Sequence, residues 1–262
     1  MDIALSVVSH GHGNQVLQLL DALAQTGCRR VWLTLNVPEP AIRAALGPAE
    51  PTGYCTRGSL QIHVIENLSP LGFGANHNQA FAREMRQPAP AACFGVLNPD
   101  LAWTSDPLPA LVAAAGSPGA GCAFPHQTGA GGQVQDHRRR VPTPGALLRR
   151  HVFRQPEVFA ANAAPHWVNA AMLVFPASVY AQVGGFDESY FMYCEDVDLC
   201  LRLQLAGYRL VEAPRAVVTH QAQRASRRNL RHTLWHLRSL CRLWASGPYA
   251  RFLTQQSTTS KG

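Results

Sequence analysis

The 262-residue sequence is poor in charge, in long apolar runs and in paired cysteines. Charged residues make up 15% of the chain and hydrophobic residues 47%, which excludes a chain without a folded core. No apolar run approaches the roughly 18 to 20 residues that span a bilayer. The seven cysteines include no CxxC pair. This argues against a disulfide framework or a zinc ribbon and favours a reducing cytosol.

Acidic residues are absent after Glu212, so the charge of the chain is uneven. The segment beyond Glu212 carries eight arginines and Lys261, whereas the preceding part has 14 basic and 16 acidic residues. The net charge of +7 therefore combines +9 in the tail with −2 in the body. A basic tail predicts an anionic partner, and a membrane surface, nucleic acid or a phosphorylated acceptor would fit.

The first half of the chain alternates strand-like and helix-like patterns. Apolar runs predict strands at residues 3–8, 31–35, 61–65 and 93–97, and helical spacing covers residues 14–25, 74–86 and 107–115. This rhythm predicts a largely parallel sheet covered by helices on both faces. The N-terminal apolar run lacks a basic flank, and we interpret it as a buried strand rather than a signal peptide.

Polar residues follow each of the four predicted strands. They are Ser9 and His10, Asn36, Glu66 and Asn67, and Asn98 and Asp100. Because the carboxyl ends of parallel strands share one edge of the sheet, these side chains should gather where such sheets bind ligands. Each residue alone is explained equally well as part of a polar loop, and the shared edge is what favours a site.

The second half is less regular. Residues 116–144 are rich in glycine, proline and small side chains, and they predict a mobile loop that could close over the site. Its three arginines at 138–140 could contact a diphosphate or simply be solvated. A buried strand is predicted at 167–175, helices at 177–183 and 195–206, and short strands at 208–212 and 216–219.

Five carboxylates lie between Gly184 and Arg202, in the segment GGFDESYFMYCEDVDLCLR, among four aromatic residues. They are Asp187, Glu188, Glu195, Asp196 and Asp198. Apolar surroundings raise the pKa of a carboxyl group and make it a stronger base. A favourable acid at a helix N-terminus explains one of these residues but not three within four positions. The segment therefore predicts a general base.

The longer segment GGFDESYFMYCEDVDLCLRLQLAGYRL resembles the C-terminal signature of family 2 glycosyltransferases, and it is most similar to bacterial rhamnosyltransferases of surface-polysaccharide assembly. Other segments extend the resemblance over roughly residues 3–222: SVVSHGHG, LSPLGFGANHNQAF, LNPD, WVNAAMLVF and VVTHQAQRAS. The resemblance implies the GT-A fold, an α/β architecture with a Rossmann-like, mixed and mainly parallel sheet flanked by helices.

The resemblance also implies an activity and a set of site residues. The expected reaction is inverting transfer of a sugar, rhamnose from dTDP-L-rhamnose first or a UDP-sugar next, to a hydroxyl of a glycan or lipid-linked acceptor. Asp196 is the implied base, and Glu195 is the alternative or an acceptor ligand. The implied donor-binding residues are Ser9, His10, Asn36, Gly72, Asn76, Asn98 and Asp100, and the acceptor-side residues are Asn169, Ala170 and Tyr193.

A divalent cation, Mg²⁺ or Mn²⁺, would neutralise the departing diphosphate. The resemblance implies Asp100 and His220 as its ligands. Asn98 stands where the family carries another acid, which predicts weaker metal binding. Asn36 stands where members carry an Asp that contacts the nucleobase, and an amide can still pair with a pyrimidine edge.

We divide the chain into a catalytic domain at residues 1–222 and a basic amphipathic C-terminal helix with its tail at 223–262. The predicted helix, at 227–244, carries an apolar stripe beside several arginines. The stripe consists of Leu230, Leu234, Leu237, Cys241 and Trp244. This helix could pack on the body, lie on an anionic membrane or form a homodimer. The expected location is cytoplasmic, with peripheral contact to the inner face of the plasma membrane.

Two other classes of protein compete with a sugar transferase. A nucleotidyltransferase that makes sugar nucleotides would share such a sheet, but it needs a basic phosphate loop, and SHGHGNQ after the first strand has no Lys or Arg. A nucleic-acid-binding protein would need a basic stripe on the body, which carries −2 instead. We keep the nucleotidyltransferase as the alternative and expect no nucleic-acid partner.

Overall fold

A computed structural model describes residues 1–49, 53–147, 164–220 and 230–259. Its strands are β1 Ile3–Ser9, β2 Arg30–Leu35, β3 Cys55–Arg57, β4 Leu60–Glu66, β5 Cys93–Leu97, β6 Leu101–Ala102, β7 Ala120–Thr128, β8 Arg138–Arg139, β9 Trp167–Val168, β10 Met172–Pro176 and β11 Arg209–His220. Its helices are α1 Gly13–Ala24, α2 Pro40–Leu46, α3 Phe73–Glu84, α4 Leu108–Ala115, α5 Ala177–Gln182, α6 Glu195–Leu205, α7 Leu230–Trp244 and α8 Gly247–Thr259.

Nine of the strands form one sheet in the order β3-β4-β2-β1-β5-β10-β7-β11-β6. Strands β4, β2, β1 and β5 are parallel, and β7 and β11 are parallel to each other. Strand β10 runs antiparallel between β5 and β7, and β3 and β6 are antiparallel edge strands. The predicted mixed, mainly parallel sheet flanked by helices is confirmed. The strand order reverses beside β1, which creates a crevice at the carboxyl ends of the strands.

The two faces of the sheet are covered by different helices. Side chains of β1 alternate between the faces: Leu5 and Val7 belong to a core shared with α1, α2 and α4, whereas Ala4 belongs to the core on the other face. That second core contains apolar side chains of α3, α5, α6, α7 and α8. Burial on both faces explains why the central strands are almost continuously apolar.

The prediction of a mobile loop over residues 116–144 is wrong, because this stretch contains β7 and β8. Strand β7 is nine residues long and lies between β10 and β11. Its sequence, AGCAFPHQT, includes a glycine and a proline, which are typical of turns. A Cβ atom at Gly121 would lie 2.7 Å from Cβ of Tyr208, so close packing against the chain before β11 explains the glycine.

Two further strand predictions need correction. The strand predicted at 167–175 is two strands, because β9 pairs with β8 in a separate small sheet and β10 joins the large sheet. The two short strands predicted at 208–212 and 216–219 are one strand, β11, with an irregularity between Ala213 and Val217. Pro214 lies in that interval and cannot donate a ladder hydrogen bond, which accounts for the interruption.

The C-terminal helices pack on the body mainly through side chains outside the predicted stripe. Trp244 of the stripe also packs there, and its Nε1 donates to the Pro142 carbonyl at 2.8 Å. Leu240, Leu243 and Phe252 are buried in the core that contains α6. Leu234 and Leu237 of the predicted stripe are 66% and 55% exposed. Residues 227–229 lie outside the described residues, and none of the helices within the described ranges is both long and apolar enough to span a membrane.

Candidate functional site

The predicted polar edge forms because backbone hydrogen bonds continue past the ends of the strands. The amide of Asn36 donates to the Ser9 carbonyl at 2.8 Å, and the amide of Asn67 donates to the Leu35 carbonyl at 3.1 Å. The amide of Asn98 donates to the Ala171 carbonyl at 2.8 Å, just before β10. The ends of β1, β2, β4 and β5 are thus tied together and to the turn that precedes β10.

Asn36 is the centre of a hydrogen-bond network and is only 4% exposed. Its Nδ2 group lies 3.1 Å from His10 Nδ1 and donates to the Leu71 carbonyl. Its Oδ1 atom accepts from the Leu71 amide and from Nδ2 of Asn67. Every hydrogen-bonding position of the Asn36 amide is therefore occupied. The network fixes His10, which is exposed, and the loop that leads to α3.

Glu39 is a site residue that the sequence analysis missed. Its two carboxylate oxygens accept hydrogen bonds from the backbone amides of Gly11 and Gly13, each at 3.0 Å. Both glycines have positive φ angles, of 81° and 34°, which residues other than glycine rarely adopt. The carboxylate thus fills the anion-binding turn between β1 and α1. A glycine turn followed some 26 residues later by an acid carries no sequence signal for this contact.

The start of α3 joins the donor-side residues to the acidic segment. The Phe73 amide donates to the Phe191 carbonyl at 2.9 Å. A Cβ atom at Gly72 would lie 2.8 Å from that same carbonyl oxygen, so only glycine permits the contact without displacement. Asn76 is fully buried and bonds to Asn67 Nδ2 and to the Leu71 and Gly72 carbonyls. Gly72 and Asn76 therefore shape the loop from within.

Asp100 and His220 meet at the same edge. His220 Nε2 lies 3.3 Å from Asp100 Oδ1, and its Nδ1 lies 3.2 Å from the side chain of Gln135. Asp100 Oδ1 is buried, yet it has no hydrogen-bond partner among the described residues. A buried carboxylate oxygen without a partner, with an imidazole nitrogen beside it, fits a divalent cation. Asn98 is half-buried two residues earlier and offers a neutral oxygen.

His12 also lies close enough to Asp100 to interact with its charge. Burial lowers the pKa of His12, and the negative charges of Asp100 and then Glu39 oppose that effect in part. The lowered pKa favours a neutral imidazole at neutral pH. A neutral ring next to Asp100 leaves the carboxylate free to attract a cation.

The acidic pair is presented by a strained turn. Tyr193 and Cys194 have φ angles of 73° and 64°, and no other non-glycine residue in the described ranges has a positive φ. Each such residue costs about 1–3 kcal/mol and is typical of functional sites. The turn places Glu195 and Asp196 in the first turn of α6. Their environments differ, because Glu195 is 7% exposed and Asp196 is partly exposed.

Burial raises the pKa of both carboxyl groups. The pKa of Asp196 rises to about 6, although hydrogen bonds from the backbone amides of Val197 and Ala170, and the charge of Arg139, oppose the rise. The pKa of Glu195 rises well above its ordinary value, through burial and then the charge of Asp196. A pKa of about 6 leaves Asp196 mainly ionised at neutral pH.

The turn before β10 carries two predicted acceptor-side residues. Asn169 Oδ1 accepts from Gln127 Nε2 at 2.8 Å, and the Asn169 amide donates to the His137 carbonyl at 3.1 Å. Ala170 is buried and its amide faces Asp196. The Ala171 carbonyl accepts from the amide of Asn98. This turn therefore connects Asp196 to the strand ends that hold Asp100.

Helix α7 contacts the acidic segment from the other side, and the sequence analysis did not predict these contacts. The hydroxyl of Tyr193 lies 2.9 Å from His232 Nδ1, and the rings of Phe191 and Trp235 lie 5.0 Å apart. A separate groove of about 660 Å³ lies between α3 and α5, and it is lined in part by Asn78 and Tyr180. Its lining includes none of the acids or histidines that meet at the strand ends, so we place the chemistry at the strand ends.

Comparisons with known proteins find glycosyltransferases. The model of the glycosyl transferase family group 2 matches residues 138–258. The rhamnosyltransferase WbbL of Escherichia coli K12 is 27% identical over 258 residues, covering 93% of this chain and 92% of that protein. An N-acetylglucosaminyl-diphospho-decaprenol L-rhamnosyltransferase of Mycobacterium tuberculosis is 32% identical over 199 residues, covering 68% of this chain and 65% of that protein.

Among solved structures, the mannosyltransferase PcManGT of Pyrobaculum calidifontis, in complex with GDP-Man and Mn²⁺, superposes with a TM-score of 0.58. It is 14% identical, and the match covers 100% of this chain and 81% of that chain. The fold and the matches define a glycosyltransferase. They place the chain among the family 2 glycosyltransferases, as its sequence resemblance predicted, and its fold is GT-A.

Proposed function

We propose that the chain transfers a sugar, with inversion, from a nucleoside diphosphate donor to a hydroxyl of a glycan or lipid-linked acceptor. The two rhamnosyltransferase relatives favour rhamnose as the transferred sugar. The proposed donor, dTDP-L-rhamnose, and the proposed setting, cell-surface polysaccharide synthesis, follow from the family resemblance of the sequence. The observation that carries the proposal is the position of the partly exposed Asp196 relative to the edge that holds Asp100 and His220. The Ala170 amide hydrogen-bonds to Asp196, and the carbonyl of the next residue, Ala171, accepts from the amide of Asn98 at that edge.

On the donor side, Asp100 and His220 would hold a Mg²⁺ or Mn²⁺ ion, with Asn98 as a weaker neutral ligand. When bound, such an ion neutralises the negative charge that develops on the departing diphosphate. Ser9 is the last residue of β1 and His10 follows it, and both would lie beside the nucleoside pocket. Asn36, Gly72 and Asn76 would shape that pocket from within. Asn36 and Asn76 hydrogen-bond to the loop before α3, and Gly72 packs against the Phe191 carbonyl.

On the acceptor side, Asp196 removes the proton from the attacking hydroxyl. The hydroxyl oxygen then bonds to the anomeric carbon, the bond to the diphosphate oxygen breaks, and the nucleoside diphosphate leaves with its electron pair. One displacement of this kind inverts the anomeric configuration. Glu195 binds and orients the acceptor, while Asn169, Ala170 and Tyr193 line the same side.

The contact of Glu39 argues against the nucleotidyltransferase alternative. An enzyme of that class binds a triphosphate on the turn after the first strand, where backbone amides face the anion. Here the amides of Gly11 and Gly13 already bind the Glu39 carboxylate, which would repel a phosphate. The comparisons with known proteins likewise favour the sugar transferase.

Calorimetric titration with nucleoside diphosphates tests the donor side of the proposal. We expect dTDP to bind the full-length protein in the presence of MnCl₂, more tightly than UDP or GDP, and to bind at least tenfold more weakly after EDTA treatment. The monophosphate dTMP is the control, because it lacks the second phosphate that the ion neutralises. If dTDP, UDP and GDP all fail to bind in the presence of MnCl₂, the donor site is misplaced.

We propose further that residues 1–222 carry out the chemistry and that residues 223–262 bring the protein to the cytoplasmic face of an anionic membrane. Helix α7 exposes Leu234 and Leu237 beside Arg238, which is the composition of a helix that lies at a lipid interface. A lipid-linked sugar diphosphate would be presented at that surface, next to the contacts of α7 with Phe191 and Tyr193.

Vesicle flotation tests the membrane contact. The full-length protein should float with vesicles that contain phosphatidylglycerol, and the double substitution Leu234→Glu and Leu237→Glu should lower the bound fraction at least fivefold. Asn14→Asp with Gln18→Glu adds the same charge on the exposed face of α1 and should leave flotation unchanged. Equal flotation of both variants would contradict the proposal. Conversion of a dimer into a monomer by the α7 variant would assign the stripe to a second copy of the chain.

A further inference from the structure

A group of metal-binding side chains lies apart from Asp100 and Asp196. His126 belongs to β7, Glu212 belongs to β11, and His137 directly precedes β8. Each offers one ligand atom, and the three atoms lie within 4.8 Å of one another. This is the one such trio of His, Cys, Asp or Glu side chains in the described part of the chain.

His137 has the hydrogen bonding of a metal ligand. It is 3% exposed, and its Nδ1 atom lies 2.8 Å from the Gln135 carbonyl oxygen. Because a carbonyl can only accept, Nδ1 carries the proton and Nε2 is left with a lone pair. Nε2 is buried and has no hydrogen-bond partner within the described residues. A metal-bound histidine typically donates its other ring N–H to a carbonyl in this way, and an empty acceptor in a buried site calls for a partner.

The spacing and chemistry of the trio fit one class of ion. His126 Nδ1 and Glu212 Oε1 are 3.4 Å apart. Two ligand atoms of a tetrahedral zinc ion, at about 2.0–2.1 Å from the metal, are separated by about 3.3–3.4 Å. Two imidazole nitrogens and one carboxylate oxygen are donors that suit Zn²⁺ rather than Mg²⁺ or Ca²⁺.

The remaining contacts leave room for the ion. Arg138 donates to Glu212 Oε2 at 2.6 Å, so the other oxygen, Oε1, remains available to a metal. The side chains of His126 and Glu212 are 35% and 23% exposed, which gives water access to a further coordination position.

We propose that His126, His137 and Glu212 bind one zinc ion, and that this ion fixes the chain before β8 to strands β7 and β11. The proposal does not depend on the transferase activity. One consequence does rest on the proposed function, because Gln135, two residues before His137, binds the carbonyl and the ring of His220. The carbonyl of His137 also accepts from the Asn169 amide. Zinc bound to these three residues would therefore fix Gln135, which contacts the proposed metal ligand His220, and Asn169, which lies on the proposed acceptor side.

Calorimetric titration of metal-free, full-length protein with ZnCl₂ tests the proposal. We expect one tightly bound equivalent and a rise in Tm, since an ion that binds only the folded state stabilises it. Co²⁺ as a substitute should give the visible absorption of a tetrahedral site. His137→Gln and Glu212→Gln should each weaken zinc binding at least 100-fold. His126→Gln is the further variant if either fails to fold, because His126 is partly exposed.

Two control variants identify the site that binds the ion. His63→Gln removes a half-buried imidazole of β4 that stacks on Trp32 towards the opposite edge of the sheet, and zinc affinity should be unchanged. Asp100→Asn should also keep the zinc equivalent. The proposal is overturned if zinc does not bind, if the trio variants bind as tightly as wild type, or if Asp100→Asn alone abolishes binding. A failure to bind dTDP with Zn²⁺ binding intact would refute the proposed function and not this site.

Discussion

Asp196→Asn should lower kcat by roughly 10³-fold while leaving the affinity for the nucleoside diphosphate nearly unchanged. A positioned general base contributes about 10²–10⁴-fold to a rate, and an amide cannot accept the proton of the acceptor hydroxyl. The substitution preserves the shape of the side chain and the acceptor oxygen that bonds to the Val197 amide at 2.8 Å. The measurement is the turnover rate with saturating donor, together with calorimetric binding of dTDP.

The matched control is Glu188→Gln. Glu188 is an exposed acid of the same segment, and it accepts from Asn78 Nδ2 away from the reaction centre. Its turnover should stay within about twofold of wild type. Equal turnover of the Asp196→Asn variant and wild type would mean that another group takes the proton. A large loss in Glu195→Gln with none in Asp196→Asn would move the role to Glu195.

The raised pKa of Asp196 also predicts the pH dependence of the reaction. Only the ionised form is a base, so kcat/KM should fall about tenfold for each pH unit below a pKa of about 6. The contribution of Asp196 to the free energy of unfolding depends on pH in the opposite sense. Because the folded-state pKa lies above the ordinary value of 3.8, the favourable contribution of the protonated group is complete below that value and is lost as pH rises through about 6.

Asp196→Asn should therefore raise the free energy of unfolding at pH 7.5, by on the order of 2 kcal/mol, since the amide has no charge to bury. Urea denaturation at pH 7.5 and at pH 4 measures this gain, which should shrink at the lower pH. Loss of activity together with a gain in stability separates a catalytic role from a structural one. A variant that is both inactive and less stable would indicate that Asp196 supports the fold.

Asp100→Asn should give the second largest loss, roughly 10²-fold in turnover at saturating donor, with half-maximal activity shifted to higher Mn²⁺ concentration. It removes the charge of a buried carboxylate whose Oδ1 has no hydrogen-bond partner in the described residues. Neutralisation of a leaving group by a metal ion is worth several kcal/mol, so weaker metal binding should show directly in the rate. Turnover measured across a series of MnCl₂ concentrations tests this expectation.

Two further variants sharpen the Asp100 experiment. Asn98→Asp restores the acid that the family carries two residues earlier, and it should lower the Mn²⁺ concentration needed for half-maximal activity. Asp21→Asn removes a carboxylate of α1 that pairs with Arg57, and it should change neither the rate nor the metal dependence. An Asp100→Asn enzyme with the rate and metal dependence of wild type would exclude Asp100 from the metal site.

The parts of the fold that were predicted are those with strong local patterns. Strands β1, β2 and β5 are nearly continuous apolar runs, β4 has apolar residues interrupted by Gln61 and His63, and the buried residues of α1 recur at helical spacing. Strand β7 was missed because Gly121 and Pro125 have local preferences for turns, which its central place in the sheet overrides. The face through which α7 packs on the body could not be predicted, because Leu240 and Leu243 give that helix a second apolar face besides the stripe.

The site was predictable where chain order alone places residues, at the ends of neighbouring parallel strands. Contacts between distant segments could not be predicted in this way. Glu39 binds the glycine turn, and the Phe191 carbonyl contacts Gly72. The left-handed backbone of Tyr193 and Cys194 was equally hidden, since neither residue type favours that conformation. Such strain is imposed by the packing of the whole segment, which no local pattern encodes.

Acceptor-dependent release of nucleoside diphosphate tests the central claim most directly. The full-length protein is incubated with dTDP-L-rhamnose, MnCl₂ and a short-chain lipid-linked N-acetylglucosaminyl diphosphate, the kind of acceptor named for the mycobacterial relative. Our account predicts dTDP release over many turnovers that requires the acceptor, with a product of inverted anomeric configuration. It is contradicted if no dTDP-, UDP- or GDP-sugar yields its nucleoside diphosphate while the protein forms a sugar nucleotide from a nucleoside triphosphate and a sugar 1-phosphate.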